Sequence, residues 1–302
     1  MQLPTLKAFL ANCLIWGEEA TPKSDGSWTR DVISVSCDRW IFTLRQNSKI
    51  VGPLRQIDAG QAYETSVVEI HNVDSASREN VLAVLDSICW LLTFATQSRV
   101  IRFGWEFLEG DVTGHYHAAP GVVGRSRPLF ELADAKAYRV FVEMTYAAYE
   151  KHHSKRKLPV VFDYLLQTQL PLQNMEASLL LLFVALENLK DTYASGVGIP
   201  YFRGFYRKAS PVGHNGKPLH YSFKELLEKM FNEVGMTPDL KPVIELRNEI
   251  VHSGLSRTPY VEQRRLYDVG HDLIREYVLR LLEFRGTYFL FSSSNHSPHH
   301  LP

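Results

Sequence analysis

Eight consecutive apolar residues, from Leu179 to Leu186, constrain the fold of this chain more than any other segment. They lie inside a longer stretch, residues 172–193, that has the pattern of a helix. A helix that is apolar on every side belongs in the middle of a bundle. The run is less than half as long as the roughly 20 residues that cross a bilayer. We therefore expect a helical bundle around this segment, and no membrane span.

The first third of the chain has a different character. Strand-type alternation of apolar and polar residues marks segments near residues 33–44, 66–70 and 101–107, and one helical pattern, from Val81 to Ala95, lies between them. Glycine and proline collect from Ala118 to Pro128, where a linker is expected. The sequence thus predicts an α+β domain over residues 1–125, followed by an all-α domain over residues 126–302. The tail from residue 295 to residue 302 is predicted to be disordered.

Composition narrows the class of protein. The formal net charge is zero, which counts against a protein that coats nucleic acid but not against an enzyme with one basic groove. Three widely spaced cysteines, Cys13, Cys37 and Cys89, suggest buried reduced thiols. The N-terminus shows no signal-peptide pattern. We expect a soluble, cytoplasmic protein.

A short helix is predicted from Pro238 to His252 and is ended by Gly254. It contains the residues that are candidates for catalysis. At about 100° per residue, Arg247 falls in the middle of its apolar arc, Asn248 and His252 lie one turn apart at the edge, and Glu249 points to water. A guanidinium amid apolar residues needs an acceptor: an internal carboxylate, a partner chain or a phosphate. Arginine can stabilise charge on phosphate oxygens while histidine moves protons, so the pair requires no metal and no cofactor.

The same segment carries a family resemblance. Residues 245–254, with Arg247-Asn248-x-x-x-His252, resemble the Arg-x4-6-His motif of the HEPN superfamily. Residues 182–189 are similar to the upstream helix of the Apea-like HEPN branch, and the resemblance spans roughly residues 128–285.

The resemblance implies an all-helical HEPN bundle that forms a homodimer, with two motif helices facing each other across a cleft. It further implies that Arg247 and His252 cleave RNA through in-line attack of the 2′-hydroxyl, and that Asn248 orients the site. HEPN enzymes often place an acidic residue beside this pair, and Glu187, which interrupts the apolar helix, is the candidate. The alternative for Glu187 is a structural salt bridge to Arg247, and both roles can hold together.

A long loop, residues 195–221, contains interleaved aromatic and basic residues. This composition suits single-stranded RNA, through base stacking and phosphate pairing. The predicted RNA-binding residues are Arg203, Tyr206, Arg207 and Lys208. The competing interpretation is a loop whose aromatic side chains pin it to the bundle.

These features predict a metal-independent endoribonuclease, such as a toxin-like or antiphage effector. Its expected partners are RNA, a second copy of the chain, and a protein trigger or inhibitor that acts through the N-terminal domain. His115 and His117 lack a convincing third ligand, so no metal site is predicted. One alternative is a non-catalytic HEPN module that binds nucleic acid, nucleotide or a partner protein. Another is a regulatory subunit whose N-terminal domain performs the recognition.

Overall fold

A computed structural model describes residues 4–47, 64–107, 127–170, 173–208, 219–293 and 297–302. Its N-terminal part is a six-stranded sheet in which every neighbouring pair is antiparallel, in the order β2-β3-β4-β5-β1-β6. One long helix, α1, lies between β5 and β6 in the chain. The bounds are β1 (Leu6–Ala11), β2 (Glu19–Pro22), β3 (Trp28–Cys37), β4 (Trp40–Gln46), β5 (Glu64–Ile70), α1 (Arg78–Thr96) and β6 (Ile101–Phe107).

The sheet buries one face against helices. On β4, Trp40, Phe42 and Leu44 alternate with more exposed neighbours and point into the core. The predicted strands over 33–44, 66–70 and 101–107 are confirmed. The sequence patterns missed β1 and β2, although β1 is central: Ala8 pairs with Val68 on one side and with Trp105 on the other.

Six helices follow, and α4 lies at their centre because it contacts the other five. Their bounds are α2 (Ala135–Arg156), α3 (Leu158–Gln167), α4 (Met175–Gly196), α5 (Phe223–Glu233), α6 (Lys241–Ser253) and α7 (Tyr260–Leu281). Within the apolar run of α4, Leu179, Leu182 and Leu186 are buried, whereas Leu180 is exposed. The predicted central position of this helix is confirmed.

The C-terminal part is α-rich but not purely helical. Two short hairpins interrupt it: β7 (Tyr201–Phe202) with β8 (Phe205–Tyr206), and β9 (Gly286–Phe289) with β10 (Pro298–Leu301). The predicted disorder of the tail is wrong for residues 297–302. Leu301 is buried in the core and its backbone pairs with Gly286, which fixes the chain end to β9.

One continuous hydrophobic core runs through both halves, from Leu6 to Leu301. Helix α2 packs against β3 and α1 on one side and against α4 on the other. The predicted linker region, residues 118–128, lies almost wholly outside the described residues. Among the described helices, α1 alone has the length and composition of a membrane span, with a mean hydropathy of 1.3, and 67% of that window is buried inside the fold. A core helix of a globular domain has the same properties.

Candidate active site

Helix α6 begins and ends at identifiable residues. Pro242 lies in the first turn, where its missing N–H costs no hydrogen bond. Gly254 ends the helix in the left-handed conformation, φ 71°, and donates its N–H to the carbonyl of Ile250 at 2.8 Å. The predicted start of this helix at Pro238 is wrong by three residues. The helix starts after Leu240, and Asp239 accepts the Lys241 N–H at 3.0 Å.

Arg247 lies beside the buried stripe of α6, which consists of Val243, Leu246 and Ile250. The helical periodicity predicts Arg247 in the middle of the apolar arc, whereas the structure places it beside the stripe, with its side chain 19% exposed. Its Nη2 donates to Glu187 Oε1 at 2.6 Å, and its Nη1 donates to Asn248 Oδ1 at 3.1 Å. The acceptor that the sequence required is thus an internal carboxylate.

The guanidinium of Arg247 also stacks 4.8 Å from the ring centroid of Phe223, the first residue of α5. Its Nε is buried without a hydrogen-bond partner among the residues that the structure describes. An arginine has five N–H donors, and two of those of Arg247 are used within the described ranges. The remaining donors on its two terminal nitrogens can therefore bind a further anion.

Glu187 binds two cations at once. Its Oε2 accepts from Lys190 Nζ at 2.6 Å, while Oε1 accepts from Arg247. Lys190 also lies 3.0 Å from Asp191. Burial alone would lower the pKa of Lys190, but the two carboxylates outweigh it and raise that pKa. Sequence reasoning missed Lys190, although a basic residue three positions after Glu187 on an apolar helix is a sign of such a pair.

His252 differs from Arg247 in its surroundings. It is exposed on the last turn of α6, and no hydrogen bond or ion pair joins it to another residue in the described parts of the chain. It lies five positions after Arg247, which corresponds to about 140° around the helix axis. Arg247 therefore faces α4 and α5, whereas the exposed Asn248 lies on the same side of α6 as His252.

Glu249 does not point freely to water, as the sequence had suggested. Its Oε2 accepts from Ser256 Oγ at 2.8 Å, from the Arg257 N–H at 3.1 Å and from Thr258 Oγ1 at 3.3 Å. These hydrogen bonds lower the pKa of the Glu249 carboxyl, and the bond from Ser256 contributes most. They fasten the α6–α7 loop to the helix that carries Arg247.

The β7–β8 hairpin forms an exposed aromatic surface. Arg203 and Gly204 occupy its two-residue turn with positive φ, 51° and 86°. Three aromatic side chains around the turn are at least half exposed. We call this surface the aromatic hairpin; its exposed rings are those of Tyr201, Phe202 and Phe205.

The predicted RNA-binding residues divide between this surface and the interior. Arg203 and Arg207 lie 5.1 and 5.8 Å from the ring centroid of Phe202. Tyr206 is buried against Ala194 and Leu226. Lys208 pairs with Glu225, the capping-box residue of α5. The competing interpretation, in which aromatic side chains hold the loop against the bundle, thus applies to Tyr206 but not to the exposed rings.

Lys190 links the hairpin to the motif helix. Its Nζ lies 5.7 Å from the ring centroid of Tyr206 and 5.3 Å from that of Phe223, on which Arg247 also stacks. The buried Tyr206 of β8 and the Arg247 side chain are therefore neighbours around one buried ammonium group.

No group of three or more potential metal ligands occurs in the described ranges. His115 and His117 lie outside those ranges. Comparison of the chain with known protein families, with characterised proteins and with solved structures finds no match.

Proposed function

We propose that this chain is a metal-independent endoribonuclease of the HEPN type, with Arg247 and His252 as catalytic residues. The observation that carries the proposal is the presence, on one short helix, of a partly exposed guanidinium and of an exposed imidazole that has no partner in the described chain. A histidine used only for structure would be expected to engage a neighbour. The resemblance to the HEPN motif supplies the reaction class.

In the proposed reaction, His252 takes the proton of an RNA 2′-hydroxyl as the oxygen attacks the adjacent phosphorus. The bond from phosphorus to the 5′-oxygen breaks, and that oxygen takes a proton from solvent water, while His252 returns its own proton to solvent after the step. The products are a 2′,3′-cyclic phosphate and a 5′-hydroxyl. Arg247 stabilises the negative charge that gathers on the phosphate oxygens, and Asn248 orients its guanidinium. Glu187 holds Arg247 in position from the side away from the RNA.

We further propose that two chains form the working site. Arg247 and His252 point about 140° apart on one helix, so they do not face one substrate together within a single chain. In the proposed dimer, His252 of the second copy acts beside Arg247 of the first. Apolar side chains near the end of α6 and the start of α7 are exposed, and such a patch is typical of an interface. Its members are Val251, Leu255, Tyr260 and Val261.

The aromatic hairpin is the proposed RNA clamp. Exposed rings stack on unpaired bases, and Arg203 and Arg207 beside them can pair with phosphates. In this proposal Phe202 and Phe205 take the stacking role that the sequence gave to Tyr206. The N-terminal sheet, which shares one core with the helices, would receive a protein trigger or inhibitor in the cytoplasm, as in toxin-like or antiphage effectors.

One observation favours a second function, that of a non-catalytic HEPN binding module. Arg247 is already neutralised by Glu187 at 2.6 Å, as a purely structural arginine would be. In that case, the aromatic hairpin binds RNA or a partner protein without cleavage.

A cleavage assay separates the two functions. An end-labelled, unstructured RNA is incubated with the purified protein in EDTA and resolved on a denaturing gel. Wild type should cleave, and R247A and H252A should not, with each variant assayed at a temperature at which circular dichroism shows that it is folded. R265A is the matched control, because Arg265 is an exposed arginine paired with Glu262 on α7. Equal cleavage by wild type, R247A and H252A would identify a contaminant, and RNA binding without cleavage would favour the binding module.

A further inference from the structure

A cavity of about 330 Å³ lies among the end of α3, the first turn of α4 and the N-terminal half of α7. This volume is at the small end of the range for ligand pockets, about 300–1,000 Å³. None of the proposed catalytic residues lines it. Its walls contain two arginines together with polar and aromatic side chains, chiefly Arg127, Gln173, Ser178, Arg264, Tyr267 and Phe291.

The two arginines that line the cavity share one weakly bound carboxylate. Arg127 Nη1 lies 3.6 Å from Asp268 Oδ2, and Arg264 Nε lies 3.3 Å from Asp268 Oδ1. Asp268 Oδ1 has no hydrogen-bond partner within the described chain. Arg127 also donates to the carbonyl of Phe291. Because each guanidinium has five donors, most of them remain for a ligand.

A third arginine adds positive charge behind the wall. Arg275 is fully buried, stacks 4.6 Å from the ring centroid of Phe291, and donates from Nη2 to the Arg127 carbonyl at 2.7 Å. Its Nε and Nη1 have no hydrogen-bond partner in the ranges that the structure covers. Burial lowers the pKa of Arg275 to about 10, so it stays charged at neutral pH. Asp272 is the nearby second carboxylate, and it accepts the Phe291 N–H.

Among the described residues, the lining of the cavity includes two arginines and no carboxylate, with Asp268 and Asp272 behind it. Met175 and Ser178, in the first turn of α4, also line the cavity. A helix N-terminus favours negative charge, which adds to the effect of the arginines. An uncompensated buried cation is costly, and an anion in the cavity would offset that cost.

We propose that this cavity binds a small anionic metabolite. Its oxyanion, a phosphate or a carboxylate, lies between Arg127 and Arg264, and its remaining part lies against Tyr267 and Phe291. The site is separate from Arg247 and His252 and does not depend on the proposed nuclease activity. The volume, at the small end of the range for ligand pockets, limits the ligand to a small molecule.

Thermal shift and calorimetric titration of the full chain test the site with three probes at matched ionic strength: inorganic phosphate, AMP and L-glutamate. At about one hundred times its Kd, a bound probe should raise the Tm of wild type by about 3 °C or more. Binding of inorganic phosphate or AMP would indicate a phosphate ligand, and binding of L-glutamate would indicate a carboxylate ligand. R264Q should weaken binding of that probe about tenfold or more, because it removes a charged donor.

The matched control is R265Q, which changes the neighbouring arginine that pairs with Glu262 outside the cavity, and it should bind like wild type. Q173E is the second variant: it keeps the shape of the wall, adds a negative charge, and should also abolish binding. The proposal is wrong if no probe shifts the Tm of wild type, or if R264Q and Q173E bind as tightly as R265Q. R247A should leave binding intact, so failure here and failure of the nuclease proposal are distinguishable.

Discussion

Replacing Glu187 by glutamine should destabilise the fold by about 2–3 kcal/mol. The substitution keeps the shape of the side chain but removes the negative charge shared by Arg247 and Lys190. The side chains of Arg247 and Lys190 are 19% and 11% exposed, and that of Glu187 is 30% exposed. Exposed ion pairs contribute about 0.2–1 kcal/mol, and breaking a buried pair costs about 3–5 kcal/mol. The intermediate burial, with two cations affected, places E187Q between these limits.

The corresponding change in Tm follows from the size of the chain. Unfolding entropy is about 2.1 cal/mol/K per residue, so for 302 residues a loss of about 2.5 kcal/mol lowers the Tm by about 4 °C. Urea unfolding and calorimetry at pH 7 and low salt measure both quantities. E245Q is the control, because Glu245 lies 4.0 Å from Lys241 and both side chains are well exposed. It should cost less than about 0.5 kcal/mol.

A double-mutant cycle identifies the source of the effect. If Glu187 acts through Lys190, then E187Q and K190M together should cost clearly less than the sum of the two single changes. E187Q with the stability of wild type, or no more destabilised than E245Q, would refute the assignment of Glu187 as the shared counter-ion.

Three further changes probe other parts of the account. F205A should weaken binding of single-stranded RNA by about 1–3 kcal/mol in a filter assay at fixed salt, while W28A, which removes an equally exposed ring from β3, should have no effect. V261E should convert a dimer of twice 34.6 kDa to a monomer in light scattering, because Val261 is 80% exposed in the proposed interface; a wild-type monomer would contradict this. Burial lowers the pKa of His271 well below 6.5, and the positive charges of Arg275, Arg264 and Arg127 add to this effect. Near pH 6, this histidine therefore binds a proton only in the unfolded chain. The free energy of unfolding should therefore fall as the pH drops below about 6.5, by up to about 1.4 kcal/mol per pH unit. H271F should flatten this slope. An unchanged slope in H271F would show that other groups cause the pH dependence.

Local patterns predicted much of the helical region. The apolar run in α4 and the Gly254 stop are each determined by neighbours in sequence, and each is found. The acceptor of Arg247 also followed from physical chemistry, since a guanidinium beside a buried stripe needs one. Glu187 was the candidate because it interrupts the apolar helix and because the HEPN resemblance implies an acidic residue beside the pair.

Long-range pairing explains what the sequence did not predict. Strand β10 has no apolar alternation of its own, and its place depends on β9 and on the single anchor Leu301. Glu249 sits on the polar side of α6, so its bonds to a loop that follows the helix were not visible from periodicity. The turn at Arg203-Gly204, between two aromatic pairs, was a readable hairpin signal that would have separated exposed rings from the buried Tyr206.

Cleavage of matched RNAs tests the central claim most directly. One RNA carries ordinary riboses, and the other carries 2′-O-methyl groups throughout. With EDTA present, the protein should cleave the first to products that end in 2′,3′-cyclic phosphate by mass spectrometry and leave the second intact. R247A and H252A should leave both intact. Cleavage of the methylated RNA, or products with a 3′-hydroxyl, would contradict 2′-hydroxyl attack assisted by Arg247 and His252.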